Sequence, residues 1–203
     1  GLANEVAIMC EKLSINAWEV IDAAATKPFG FKPFYPGPGL GGHCIPIDPL
    51  YLSWKAKKYG VNTDFIRLSA TINKKITSWI LLKLFKKIKH LKKPKILIIG
   101  VAYKKNIDDV RESPALKMME ILSKKKFLFE YYDPYIKRLP KNRNYYKDIN
   151  SIEMTSKKIQ SFDAIILVTD HDVIDWKKIQ KNAKLILDTR NVYKKNYDNV
   201  IKA

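Results

Sequence analysis

At Pro94 the hydrophobic period of this chain changes, and that change limits the fold more than any other feature. Before it, apolar residues recur at helical intervals: Leu2, Val6, Met9, Cys10 and Leu13, then the stretch "INAWEVIDAAAT", then a stripe of Phe65, Leu68, Ile72, Ile76, Trp79, Ile80, Leu84 and Ile88. This spacing predicts amphipathic helices. After it, short apolar runs ("KILIIG", "FLFEYYDP", "DAIILVT", "KLILDT") alternate with the helical segments "SPALKMMEILSK" and "DVIDWKKIQ". Strands alternating with helices predict an α/β fold built on a doubly wound parallel sheet, Rossmann-like in class. The expected organisation is a central helical region over residues 1–92 and a sheet domain over residues 93–203.

Local punctuation supports these elements. Asn16 is placed to cap the second helix, and Ser113 with Pro114 to open the helix after the first strand. Asp48 followed by Pro49 predicts a further helix start, with the helix "PLYLSWKAKKY" ending at Gly60. The first helix has no capping residue before it, because the chain opens on Gly1. The expectation is a helix that begins upstream, in a longer protein.

Composition narrows the setting. A hydrophobic share of 46% is enough to bury a core. No run of about 18 apolar residues suggests a membrane span, and no secretory leader is visible. Cys10 and Cys44 make no disulfide framework and fit a reducing, cytoplasmic setting. The net charge of +18 allows nucleic acid, an acidic membrane or small anions as partners. Only five of the 38 basic residues are arginine, however, and base readout and phosphate forks favour arginine. A solvated lysine-rich face is the simpler reading, with a general pull on anionic substrates, and a nucleic-acid or membrane partner is not expected.

The stretch "FYPGPGLGGHCIPIDP", Phe34 to Pro49, places four glycines and four prolines around one histidine and one cysteine. Gly41 and Gly42 remove side chains just before Cys44, so a ligand or another chain segment can approach the backbone. The thiolate is the nucleophilic form of cysteine, and amides at a helix start stabilise a nearby anion. A buried structural cysteine in a rigid turn is the plainer alternative, but the setting Gly-Gly-His-Cys-x-Pro-x-Asp favours a nucleophile. A metal role for His43 is not expected, since no second ligand lies at useful spacing. His90 and His171 read as surface residues.

"GPGLGGHCIPIDP" resembles the nucleophile signature of the UDP-glucose/GDP-mannose dehydrogenase family. "DAAATKPFGFKPFYPGPGLGGHCIPIDPLYLSWKAKKYG" is most similar to the branch that oxidises UDP-N-acetylhexosamines, such as UDP-N-acetylglucosamine or UDP-N-acetylgalactosamine. "ILIIGVAYKKNIDDVRESPALKMMEIL", "YYDPY" and "LDTRNVY" resemble the family's UDP-binding domain, in the expected order. The resemblance covers nearly the whole chain. It implies oxidation of the sugar C6 alcohol to a carboxylate with two NAD+ and no release of the aldehyde. Cys44 would form a thiohemiacetal and then a thioester, and Asp48 would assist the water and proton steps while capping its helix.

The same resemblance assigns the substrate side. Phe34 and Tyr35 belong to the aromatic loop "FGFKPFY", which closes over substrate in the family or simply packs on the domain. Gly41, Gly42 and His43 line the nucleophile loop. Histidine at position 43, with Ile47 where UDP-glucose enzymes carry lysine, suits the N-acetylhexosamine branch. Tyr103 would pack on the UDP-sugar and Lys104 would meet its diphosphate, against a plain surface-lysine role for Lys104. Arg111 would reach the cofactor phosphates. Arg190 would contact UDP, against an ion pair with Asp188. Asp133 reads as a turn residue.

The single glycine at Gly100 falls short of a dinucleotide fingerprint, and no strand precedes "GPGLGG". The NAD-binding domain and the family's upstream lysine and asparagine are therefore expected to lie before Gly1, and Asn4 does not replace them. The chain reads as a C-terminal portion of a homodimeric enzyme, inactive alone, with the helix from Asp64 to His90 as a dimer contact. A non-catalytic UDP-sugar-binding or assembly module of the same fold is the alternative.

Overall fold

The change of period is a change of architecture. The computed structural model describes residues 1–139 and 148–203. Four helices come first: α1 (Leu2–Lys12), α2 (Ala17–Ala25), α3 (Cys44–Lys57) and α4 (Asp64–Ile88). The second half runs β1 (Lys95–Ile99), α5 (Pro114–Lys124), β2 (Leu128–Tyr132), β3 (Arg138–Leu139), β4 (Ile149–Asn150), α6 (Ser156–Gln160), β5 (Ala164–Leu167), α7 (Trp176–Asn182), β6 (Ile186–Asp188) and β7 (Val200–Lys202). Among the described residues no helix is long and apolar enough to cross a membrane.

Five strands form one parallel sheet in the order β2-β1-β5-β6-β7, and β3 pairs with β4 in a separate antiparallel ladder. The strand order reverses between β1 and β5, which is where open sheets of this kind bind ligands beyond their carboxyl ends. Alternation along the strands feeds two cores. Ile96, Ile98, Ala164, Ile166 and Leu187 pack with α4 and α5, while Leu97, Ile99, Ile165, Leu167 and Ile186 pack toward α6 and α7. Each fully buried isoleucine or leucine stabilises the fold by about 2 kcal/mol.

Asn16, Ser113 and Asp175 cap α2, α5 and α7 through their side-chain oxygens. The end of α3 is also as expected: Gly60 sits at φ +76°, and the Val61 N–H reaches back to the Ala56 carbonyl at 3.1 Å.

The structure corrects three expectations about the helices. α3 begins at Cys44, not at Pro49, and Asp48 lies inside it without capping it. Pro46 falls in the first turn, where a missing N–H costs nothing, so the helix starts one proline earlier. The stripe on α1 is rotated: Asn4, Ala7 and Cys10 are buried, whereas Leu2, Met9 and Leu13 are exposed. The stripe on α4 enters the core only from Ile76 onward, and Phe65 is 88% exposed. The second half of α4 thus belongs to the same hydrophobic core as β1 and α5, across the expected boundary at residue 93.

Candidate active site

The Gly/Pro loop crosses the carboxyl end of the sheet, and its glycines mark the contacts. A methyl group on Gly37 would lie 3.1 Å from Nη1 of Arg190, and one on Gly39 would lie 3.2 Å from Oγ1 of Thr77. At Gly41 it would meet Cβ of Tyr103 at 2.4 Å, and at Gly42 the Tyr103 ring at 2.9 Å. The Gly42 N–H also donates to the Arg111 carbonyl at 2.8 Å. Of the two occupants that glycine could admit, the structure supplies a chain segment. Gly41 and Gly42 are bare because the loop after β1 presses on them.

Two polar residues hold this loop from the helical side. Thr77 donates its hydroxyl to the Pro38 carbonyl at 2.6 Å. Buried Asn4 accepts from the Gly37 N–H at 3.0 Å and donates to Asn73 at 2.8 Å. Sequence reasoning named Asn4 only to say that it does not replace the upstream residues, and passed over Thr77 and Asn73. The available signal was a polar residue, Asn4, on the helix face that also carries Ala7 and Cys10.

Cys44 emerges exposed at the first turn of α3, in contrast to buried Cys10. Its neighbours are His43 and Asp48, whose Nδ1 and Oδ1 stand 3.8 Å apart, both largely exposed. The Cys44, His43 and Asp48 ligand atoms all lie within 4.8 Å of one another. The spacing argument against a ligand cluster at His43 therefore does not hold, because one helical turn brings Asp48 back beside it.

Across from Cys44 runs the segment from Val101 to Glu112. Tyr103 is half-buried, and its N–H donates to the Asp109 carbonyl at 2.9 Å. Lys104 is exposed, and among the described residues no carboxylate lies within ion-pair distance. Lys105 pairs with Asp172 at 3.0 Å. Arg111 forks onto Asp109 at 2.8 and 2.6 Å, and this contact raises the pKa of the arginine and lowers that of the aspartate.

The base of this segment is locked by Asp133, which caps the loop from the end of β2. One carboxylate oxygen accepts from the N–H groups of Val101 and Ala102, the other from Tyr135 and Ile136. His171, read from sequence as a surface residue, is fully buried and contacts the same carboxylate at 3.1 Å. The other His171 ring nitrogen accepts the Asn106 N–H at 2.9 Å, so a neutral imidazole satisfies both partners. Burial pushes the Asp133 carboxyl up, but the bonds from His171 and from the Val101, Tyr135 and Ile136 amides outweigh it and hold it below its ordinary value.

Arg190 follows β6 and donates Nε–H to the Val168 carbonyl at 2.7 Å. The alternative ion pair with Asp188 is not formed. The Asp188 carboxylate instead accepts the N–H groups of Arg190 and Tyr193 at 3.0 and 2.9 Å. Burial lowers the pKa of the guanidinium, and the charge of Asp170 opposes this only in part. Phe34 and Tyr35 are not drawn into this cluster. Tyr35 stacks on Trp18 of α2 at 4.8 Å and donates to Asp22, and Phe34 is 68% exposed.

The Gly/Pro loop that carries Cys44 in the helical half therefore meets the switch point of the sheet, with Tyr103, Lys104 and Arg190 on the sheet side. Residues 97–195 match the UDP binding domain of the UDP-glucose/GDP-mannose dehydrogenase family, and residues 1–75 match its central domain. The UDP-N-acetyl-D-mannosamine dehydrogenase of Methanococcus vannielii is 33% identical over 97% of this chain and 45% of its own length. That of Methanocaldococcus jannaschii is 36% identical over 95% of this chain and 43% of its own. A solved UDP-D-ManNAc dehydrogenase from Pyrococcus horikoshii superposes with a TM-score of 0.82 at 32% identity, covering 99% of this chain and 46% of that one. The chain spans less than half the length of these relatives. Two domains matched in order, on the fold of a solved relative, make it a member of the UDP-glucose/GDP-mannose dehydrogenase family.

Proposed function

We propose that this chain supplies the nucleophile and the UDP side of a nucleotide-sugar 6-dehydrogenase acting on a UDP-N-acetylhexosamine. The names of the relatives favour UDP-N-acetyl-D-mannosamine as the configuration. The observation that carries the reading is the seating of Gly41 and Gly42, just before exposed Cys44, against Tyr103 in the loop after β1 at the switch point. The diphosphate meets Lys104 and Arg190, and Tyr103 packs on the nucleotide sugar.

Conversion of the C6 alcohol to a carboxylate removes two hydrides, for which a nicotinamide cofactor supplies the acceptors. That cofactor does not fit the turn after β1. A methyl on Gly100 would lie 2.3 Å from the Thr169 carbonyl oxygen, so the space left by this glycine is already filled. Asp133, where a ribose-binding acid would stand, is spent on amides. Turnover therefore needs a nicotinamide-binding unit outside this sheet, and alone the chain binds UDP without turnover. Arg111 would meet the cofactor phosphates only by leaving or sharing Asp109.

The remaining chemistry belongs to this chain. The Cys44 sulfur adds to the C6 aldehyde and gives a thiohemiacetal. The oxidised adduct is a thioester, which water cleaves to the carboxylate and free thiol. Asp48 and His43, 3.8 Å apart beside Cys44, accept the protons released in this reading. Exposed apolar residues on α3 and the first half of α4, including Tyr51, Trp54, Phe65 and Leu68, form the face of a homodimer. Two experiments test the reading. Calorimetric titration of the chain with UDP should show binding. In the enzyme completed with its nicotinamide-binding half, Cys44→Ser should abolish acid formation while UDP-sugar binding persists. Unchanged turnover in that variant removes the nucleophile.

A further inference from the structure

We propose that His43, Cys44 and Asp48 form a reversible three-ligand site for Zn2+, which masks the nucleophile when occupied. The geometry carries the proposal. One thiol, one imidazole and one carboxylate from a six-residue stretch present their donor atoms within 4.8 Å of one another. Zinc–ligand bonds of about 2.0–2.3 Å set donor atoms about 3.3–3.5 Å apart in a tetrahedron. The His43–Asp48 separation of 3.8 Å is close to that, and both side chains are more than half exposed and free to turn inward. Just before them the backbone is held by the Gly42 N–H on the Arg111 carbonyl, and Cys44 and Asp48 share the first turns of one helix.

The donor set selects the ion. Sulfur and nitrogen donors disfavour the hard cations Mg2+ and Ca2+, and suit zinc. Thiolate and carboxylate together balance the two charges of the ion, with the thiol proton released to solvent. Arg111, which interacts electrostatically with Cys44, is already paired to Asp109 and adds little repulsion. Three protein ligands leave a fourth position for water. A sulfur bound to zinc has its nucleophilic lone pair committed to the metal. Occupancy therefore blocks addition to the aldehyde, and removal of zinc restores it. This consequence rests on the dehydrogenase reading, whereas the metal site does not.

The test uses the 203-residue chain under a metal-free reductant. Zn2+ is titrated against a chromophoric chelator, and Co2+ is substituted to read sulfur-to-metal charge transfer. One Zn2+ per chain is expected, with a cobalt–thiolate band that Cys44→Ser removes and Cys10→Ser leaves. His43→Ala and Asp48→Asn should each weaken Zn2+ binding by about tenfold or more. Absence of the cobalt–thiolate band in the unmodified chain overturns the proposal, with no reliance on a variant's folding. Zinc affinity unchanged in both ligand variants overturns it equally. UDP titration of the metal-free chain is a separate reading, so failure to bind UDP strikes the dehydrogenase assignment and leaves the metal site standing.

Discussion

Gly41 stands so close to Tyr103 that a methyl group on it would lie 2.4 Å from the Tyr103 Cβ. The contact is with the root of the tyrosine side chain, so no rotamer relieves it. Gly41→Ala must therefore move one of the two loops. The expected loss is about 2 kcal/mol of stability, read by chemical denaturation, together with altered alkylation of Cys44. Tyr103→Ala keeps the offending Cβ and should not rescue the variant, whereas Tyr103→Gly should. Rescue by alanine would disprove the packing account.

Asp133 should shape the acid limb of stability. Its folded pKa is lowered, so its contribution is fully present above the unfolded value of about 3.9 and is lost as pH falls through the folded value. Asp133→Asn turns an amide donor toward amides that need an acceptor, at a cost of about 3 kcal/mol near neutral pH. Denaturant midpoints taken from about pH 7 down to about pH 2 should fall less steeply in the variant, because one of the groups that binds protons on unfolding is gone. An acid limb of unchanged slope would refute this.

Arg190→Ala should weaken UDP binding by about tenfold, the value of one charge-assisted hydrogen bond. Arg190→Lys should restore little, because the Nε–H bond to the Val168 carbonyl that aims the guanidinium is lost. Calorimetry gives the affinities, and an alanine variant that binds UDP normally would remove Arg190 from the site.

Phe65→Glu with Leu68→Glu should convert a dimer to a monomer with little change in melting temperature, since both side chains are exposed in the single chain. Sedimentation velocity decides the matter. A monomeric unmodified chain at high concentration would dismiss the proposed interface.

The parallel sheet was legible because its central strands carry short, buried apolar runs, the "ILII" of β1 and the "AIIL" of β5. β7 was missed for the opposite reason. Val200–Lys202 is a three-residue edge strand, half-buried, with no periodicity to read. α6 is five residues long, too short to show a helical stripe. Of the candidate site, the segment containing Cys44 and Asp48 could be read as a motif. The partners of its glycines could not, because Tyr103 lies some sixty residues away and only the fold brings it near. His171 was misjudged because a histidine's burial depends on what waits to bond it. Here Asp133 and the Asn106 amide come from two other loops.

The continuity of α4 carries a mechanical consequence. One unbroken rod packs along α1 and α3 at one end and roofs the sheet at the other, through Ile80, Leu84 and Ile88. If the dehydrogenase proposed above opens and shuts during turnover, the Cys44 loop and the sheet it crosses are expected to swing together. The hinge is then expected at the seam with the proposed nicotinamide-binding unit.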